Sequence, residues 1–150
     1  MNQLRQLAEP FPKALIQKPA PGKYGDYVEH NDYTQRALSI VGPHDFKIID
    51  LIRGHAPEIV GKVNTWPARE NAVVGVTATL VALIDGVHHE ITEVGTEDKP
   101  AMKTDAQAAK NALSDAYKRC WMRLGLGLHL WCDSYWLDKQ LDKDDDLSDV

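Results

Sequence analysis

Apolar residues recur at helical spacing most clearly over residues 103–127, KTDAQAAKNALSDAYKRCWMRLGLG. At about 100° per residue, Ala106, Ala109, Ala112, Leu113, Ala116, Tyr117, Cys120, Trp121 and Leu124 share one broad arc. Gln107, Asn111, Ser114, Asp115, Lys118 and Arg119 share the other, with Lys110 and Arg123 near its borders. The spacing predicts a helix with Thr104 as N-cap and Gln107, three residues on, closing a capping box. Asp105 adds favourable charge in the first turn, and Gly125 and Gly127 supply the stop. At ~1.5 Å per residue such a helix is roughly 30 Å long, enough to cross a whole sheet. Ala108, Ala109, Ala112 and Ala116 would let another backbone come close.

The pattern changes period upstream. Residues 73–84, VVGVTATLVALI, are rich in β-branched side chains and run into Asp85-Gly86, a strong two-residue hairpin signal. Residues 87–94 return as the antiparallel partner, and 95–103 form a polar loop into the long helix. Residues 44–53 fit either period; Phe46, Ile48 and Ile49 favour a strand. A further strand around 59–64 is expected within a longer connection. Residues 31–41 read as a helix capped by Asn31 or Asp32, with Tyr33, Ala37, Leu38 and Val41 inward and Gly42-Pro43 as the stop. A short extended step at 27–29 precedes it, 18–25 is a linker or exposed loop, and Leu4 and Leu7 mark a short helix ended by Pro10 and Pro12. After Gly127 come a short apolar segment at 128–131 and a helix start at 135–137. The fold class is α+β: an antiparallel β-β-β-α core with a long helix packed across the sheet, preceded by a short N-terminal helix. The expected organisation is an arm and linker over 1–25, one domain over 26–137 and an acidic disordered tail over 138–150.

Charge refines this picture through its distribution. The chain carries −5 overall, but residues 137–150 hold six aspartates against two lysines, leaving the other 136 residues near −1. Over 103–123 there are five basic and two acidic side chains, so a local basic surface is available to a polyanion. No apolar run approaches the ~18 residues of a membrane span, the first residues lack the apolar core of a signal peptide, and two cysteines make no disulfide framework. These features place the chain in the cytoplasm, with its thiols reduced.

Three kinds of chemistry are open. Cations on the long helix and the loop before it, Lys118 and Arg119 with Lys110, Arg123, Lys103 and Lys99 around them, could track a phosphate backbone. Taken alone, they read more simply as a solvated face. For a metal, His88 and His89 are adjacent on a strand and point to opposite faces. His129 and Cys132 lack a CxxC or HExxH partner. Glu90, Glu93, Glu97 and Asp98 could hold Mg²⁺, but no spacing requires it. Neither a metal nor an enzyme activity is therefore expected. No phosphate-binding glycine loop is present, since Gly125 and Gly127 follow a helix where such a loop would precede one. Trp131, Tyr135 and Trp136 are candidate stacking platforms, while Trp121 belongs to the apolar arc and reads as core or interface.

The hairpin and helix together, VVGVTATLVALIDGVHHEITEVGT and AQAAKNALSDAYKRCWMRLGLGL, resemble the DNA-binding core of single-strand annealing proteins of the Rad-fifty-two type, phage relatives included. That family's helix reads A-x-x-x-A-x-[ST]-D-x-x-K-R before a glycine-containing segment. Ala108, Ala112, Ser114, Asp115, Lys118, Arg119, Gly125 and Gly127 match it in order. KYGDYVEHNDYTQRALSIVGPHDF resembles the family's upstream step, helix and turn, so the likeness spans about 24–138. It implies subunits set side by side in rings or open rings, with single-stranded DNA in a basic groove and complementary strands annealed in recombination or repair, without ATP. By position, Lys118, Arg119 and Lys110 match the family's phosphate contacts. Met122 stands where the family often has Arg, with Arg123 one residue later. Asp32 stands where it has another, with Arg36 a turn away. The acidic tail would compete for the basic surface or recruit a basic protein or single-strand-binding partner. The alternative is a phage structural or regulatory oligomerisation module that uses the same helix only for packing.

Overall fold

Val76, Ala78, Leu80, Ala82 and Ile84 are all buried, and they are the alternate positions of the longest strand, β4 (Arg69–Ile84). The computed structural model describes residues 2–21 and 25–132 and places β4 between β1 (Asp45–Ala56) and β5 (Val87–Thr96), antiparallel to both. Asp85 and Gly86, both at positive φ, make the two-residue turn between β4 and β5. Residues 44–53 therefore belong to a strand. β1 is an edge strand whose register with β4 shifts around Ile49 and again towards Ala56. In place of one strand at 59–64 there are two short ones, β2 (Ile59–Val60) and β3 (Thr65–Trp66), paired as a small separate hairpin.

α3 (Asp105–Met122) crosses this sheet. Its capping box is formed: Gln107 N donates to Thr104 Oγ1 at 3.2 Å, and Thr104 N donates to Gln107 Oε1 at 3.0 Å. The helix stops at Met122, and the chain turns through Gly125 and Gly127, both at positive φ. The buried stripe is Ala108, Ala112, Ala116 and Cys120, flanked by Tyr117 and Trp121. Ala106, expected inward, is exposed, and Ala109 and Leu113 are half-buried. With alanines spaced four apart, the helix meets the sheet along a narrow row rather than a broad arc. Ala112 and Ala116 pack on Val76 and Ala78, while Trp121, Tyr117, Leu124 and Leu126 join Leu80, Ala82 and Ile84 in the main core.

α1 (Gln3–Ala8) and α2 (His30–Ile40) complete that core through Leu7 and Tyr33, with Phe11 from the segment between them. α2 begins at His30, with Glu29 at the cap position and no side-chain cap bond, so neither Asn31 nor Asp32 caps it. Leu38 is 49% exposed, because five residues at ~100° put it about 140° from Tyr33. A bridge between Gln17 and Tyr27 ties the segment before α2 to the N-terminal arm. The polar connection to α3 starts at Glu97, since Gly95 and Thr96 extend β5, and Pro100–Met102 form a 3₁₀ turn. Leu128–Trp131 form another. The helix start at 135–137, with Tyr135 and Trp136, and the acidic tail lie outside the described residues.

Asp105 fixes the start of α3 to the sheet. Its carboxylate accepts from Val73 N at 3.2 Å, Arg69 Nη2 at 2.8 Å and Arg53 Nη1 at 3.2 Å. These donors, the Val73 amide first, hold its pKa below the usual carboxylate value. A depressed folded pKa contributes stability present above the unfolded value, about 3.9, and lost as pH falls through the folded one. Asp105→Asn should therefore melt lower than wild type at neutral pH and lose less on acidification below about pH 4. Equal acid slopes in thermal melts of the two proteins would contradict this assignment. Asp85, also held low by backbone N–H groups of Gln3 and Leu4, is unchanged in the variant.

Candidate nucleic-acid interface

The polar side of α3 forms the floor of a groove of about 780 Å³, and the connection after β5 forms one wall. Asn111, Ser114, Asp115, Lys118 and Arg119 face it from the helix, Lys99 and Lys103 from the connection, and Trp131 from the turn after Gly127. Two carboxylates set this geometry. Asp115 Oδ2 accepts from Thr96 N and from Arg119 Nε, each at 3.1 Å, which holds the end of β5 against the helix. Glu97 accepts from Asn111 Nδ2 at 2.7 Å and from Lys99 N at 3.2 Å, which does the same for the connection. Arg119 lies over the Trp131 ring, 4.8 Å from its centroid.

Lys118 is half-buried among aromatic rings. Its Nζ lies 5.6 Å from the Tyr27 ring centroid and 5.7 Å from that of Tyr33, within cation–π range of both. Burial pulls its pKa down, and the charges of Asp115 and Glu29 pull it back up. Tyr33 is itself pushed up to about 12 by burial, with a hydrogen bond to the Trp131 side chain acting the other way. Nearby, the His30 ring stacks on Tyr117 at 4.5 Å, and its Nδ1 is 3.0 Å from Ser114 Oγ. Burial, then the charge of Lys118, lowers the His30 pKa. Tyr117 Oη meets His44 Nε2 at 2.9 Å and Thr34 Oγ1 at 3.0 Å. These contacts join α2 and His44 to α3.

Four of the seven cations singled out in the sequence thus line one groove: Lys99, Lys103, Lys118 and Arg119. They face three carboxylates there, Glu97, Asp98 and Asp115, so the lining carries a formal +1. The other three lie elsewhere. Lys110 is exposed on α3 outside the lining. Arg123 forms an ion pair with Glu93 of β5, Nε to Oε1 2.7 Å. Arg36 stacks on Phe11 and donates to the carbonyls of Gln6 and Pro10, binding the N-terminal arm to α2. It lines a separate hollow that also contains Asp32. Sequence reasoning missed Tyr27 and Tyr33 as the rings around Lys118; they are far away in the chain, and only the docking of α2 brings them there.

His88 and His89 pair with Leu83 and Ala82 at successive positions of β5, His129 Nε2 accepts from Phe11 N at 3.0 Å, and Cys132 Sγ donates to Leu128 O. Among the described residues no group of three or more His, Cys, Asp or Glu side chains could hold a metal ion, and no helix is long and apolar enough to cross a membrane. Cys120 and Cys132 are free thiols.

No curated protein matches the chain. The sequence profile of the Rad52/22 family double-strand break repair protein matches residues 5–146, a longer stretch than the motifs alone cover. With nearly its whole length matched, the chain belongs to the Rad52/22 family, whose work is double-strand break repair by recombination.

Proposed function

We propose that this protein binds single-stranded DNA along the α3 groove and anneals complementary strands, as an assembly of copies and without ATP or covalent chemistry. The observation that carries the reading is the convergence of Lys99, Lys103, Lys118 and Arg119 on one groove in a chain of a double-strand break repair family. Cations on a rigid helix hold phosphates without reading sequence, which leaves base edges free to pair with a second strand. Side-by-side assembly is supported by β1, an edge strand with Ile48, Ile49 and Leu51 exposed. Such an edge stays open to further pairing unless a neighbour covers it.

The test is annealing of complementary oligonucleotides by wild type and by Lys118→Ala/Arg119→Ala, with oligomer size measured alongside. The double variant should keep its assembly and lose annealing. Its log affinity for single strands should fall less steeply with log salt, by roughly 0.7 for each phosphate that is no longer neutralised. A variant that stays assembled and anneals like wild type would refute the groove assignment. Wild-type assembly without any salt-dependent DNA binding would favour the oligomerisation module instead.

A further inference from the structure

Beside the groove lies a second hollow, of about 380 Å³, whose walls include Tyr27, Tyr33 and Trp131. Lys118, Asp115 and Trp131 line both spaces, so whatever lies in the groove passes directly alongside the hollow. We propose that this hollow is a nucleobase site, taking one base from a strand whose phosphates occupy the groove; the proposal rests on the DNA-binding reading above.

Three observations point to a base. The first is exposure. Tyr27 and Trp131 are 43% and 44% exposed, while Tyr33, Tyr117 and Trp121 are buried, so these two rings are presented to solvent at the edge of a cationic groove. Exposed aromatic faces beside cations are what single-strand binders use to stack bases. The second is charge. In the hollow one lysine, Lys118, faces two carboxylates, Asp26 and Asp115, with Asp26 also meeting Lys18 at 3.6 Å. In the groove, cations are in excess. A phosphate is therefore favoured in the groove and disfavoured in the hollow, whereas a neutral base suits the hollow. The third is rigidity. Arg119 packs on Trp131 from the groove, 4.8 Å from the ring centroid, and Tyr33 is itself buried against Phe11. The Tyr27 backbone is pinned by its paired hydrogen bonds with Gln17, 2.7 and 3.0 Å. Both walls are thus set before a base arrives, which limits the ordering cost of binding. The volume lies at the low end of small-ligand sites and suits a single base. Stacking uses the face of a base and leaves its pairing edge available, which keeps the site compatible with annealing.

The experiment measures binding of the full chain to a short oligothymidylate and to an abasic oligonucleotide of equal length and charge. Wild type should prefer the base-bearing strand by about tenfold. Tyr27→Leu and Trp131→Leu should each abolish that preference and keep the salt dependence, because stacking releases no counterions. Tyr27→Phe and Trp131→Phe, which restore a ring, should recover it, separating lost stacking from damaged folding. Equal wild-type affinity for both strands would overturn the base site, as would Leu variants that keep the preference. Failure of the underlying reading looks different: wild-type binding insensitive to salt, or Lys118→Ala/Arg119→Ala binding the abasic strand as wild type does, would remove the phosphate groove and the base site with it.

Discussion

Gly95→Ala is expected to cost at least about 4 kcal/mol, among the largest effects a single methyl group can have. Gly95 is buried in β5 against α3. A Cβ there would overlap the Ala112 carbonyl oxygen and lie 2.6 Å from Ala116 N and 2.9 Å from Ala112 C. These are helix backbone atoms held by their own hydrogen bonds, so no rotamer change relieves the overlap; α3 or β5 must move as a unit. Interiors packed to crystal density do not absorb such a shift cheaply. At 2–4 °C per kcal/mol for a chain of this size, the melting temperature should fall by roughly 10 °C or more. The shift would also move the helix that forms the groove floor, because Asp115 is anchored to Thr96, the neighbour of Gly95. Gly54→Ala is the control: its added Cβ meets only Val74 Cγ2, at 3.7 Å, and it should melt near wild type. A Gly95→Ala protein melting beside Gly54→Ala would show that strand and helix are not in backbone contact.

This contact marks how far the sequence could be read. The four alanines of α3 announced that some backbone comes close, and one does. Gly95, the other half of the contact, looked like the first residue of a polar loop, because a lone glycine carries no record of which helix it will face. Thr104 with Gln107, and Asp85 with Gly86, are local devices, and the structure forms both as read. Ala106 and Leu38 fall outside the buried faces because helical periodicity fixes an arc but not its centre. That centre is set by the width of the contact with the sheet. The site divides along the same line. Lys118, Arg119, Lys99, Lys103 and Trp131 come together because they sit on one helix and the segments joined directly to its ends. Arg123 is taken by Glu93 across to β5 and Arg36 by the N-terminal arm. Both partnerships are long-range pairings with no local signature. The ring cage of Lys118 depends in the same way on the docking of α2.

Trp121→Ala should give the second large loss of stability, about 3 to 5 kcal/mol, the cost of emptying a fully buried aromatic site. Trp121 is 0% exposed. It meets His44 edge-on at 5.2 Å and Tyr117 at 6.3 Å and sits in the cluster that joins α1, α2, α3 and β4. Removing it strips packing from all four elements at once. Its indole Nε1 has no hydrogen-bond partner among the described residues. Truncation therefore recovers part of the ~1–3 kcal/mol that a buried unpaired donor costs, which draws the expected loss towards the lower end. Trp121→Phe removes the same N–H and leaves a smaller void, so it should cost clearly less than Trp121→Ala in denaturant titration. Comparable losses for the two would mean that the void left by the ring is not what sets the cost. Trp121 lines neither the groove nor the hollow, so at a temperature where Trp121→Ala remains folded it should bind single strands as wild type does, with the base preference intact. Lys118→Ala/Arg119→Ala should behave in the opposite way, melting near wild type and binding poorly, since both side chains are only partly buried. If folded Trp121→Ala instead loses the preference for bases over abasic sites, α3 must open its apolar side to DNA, and the stacking surface would be the core face of the helix rather than Tyr27 and Trp131.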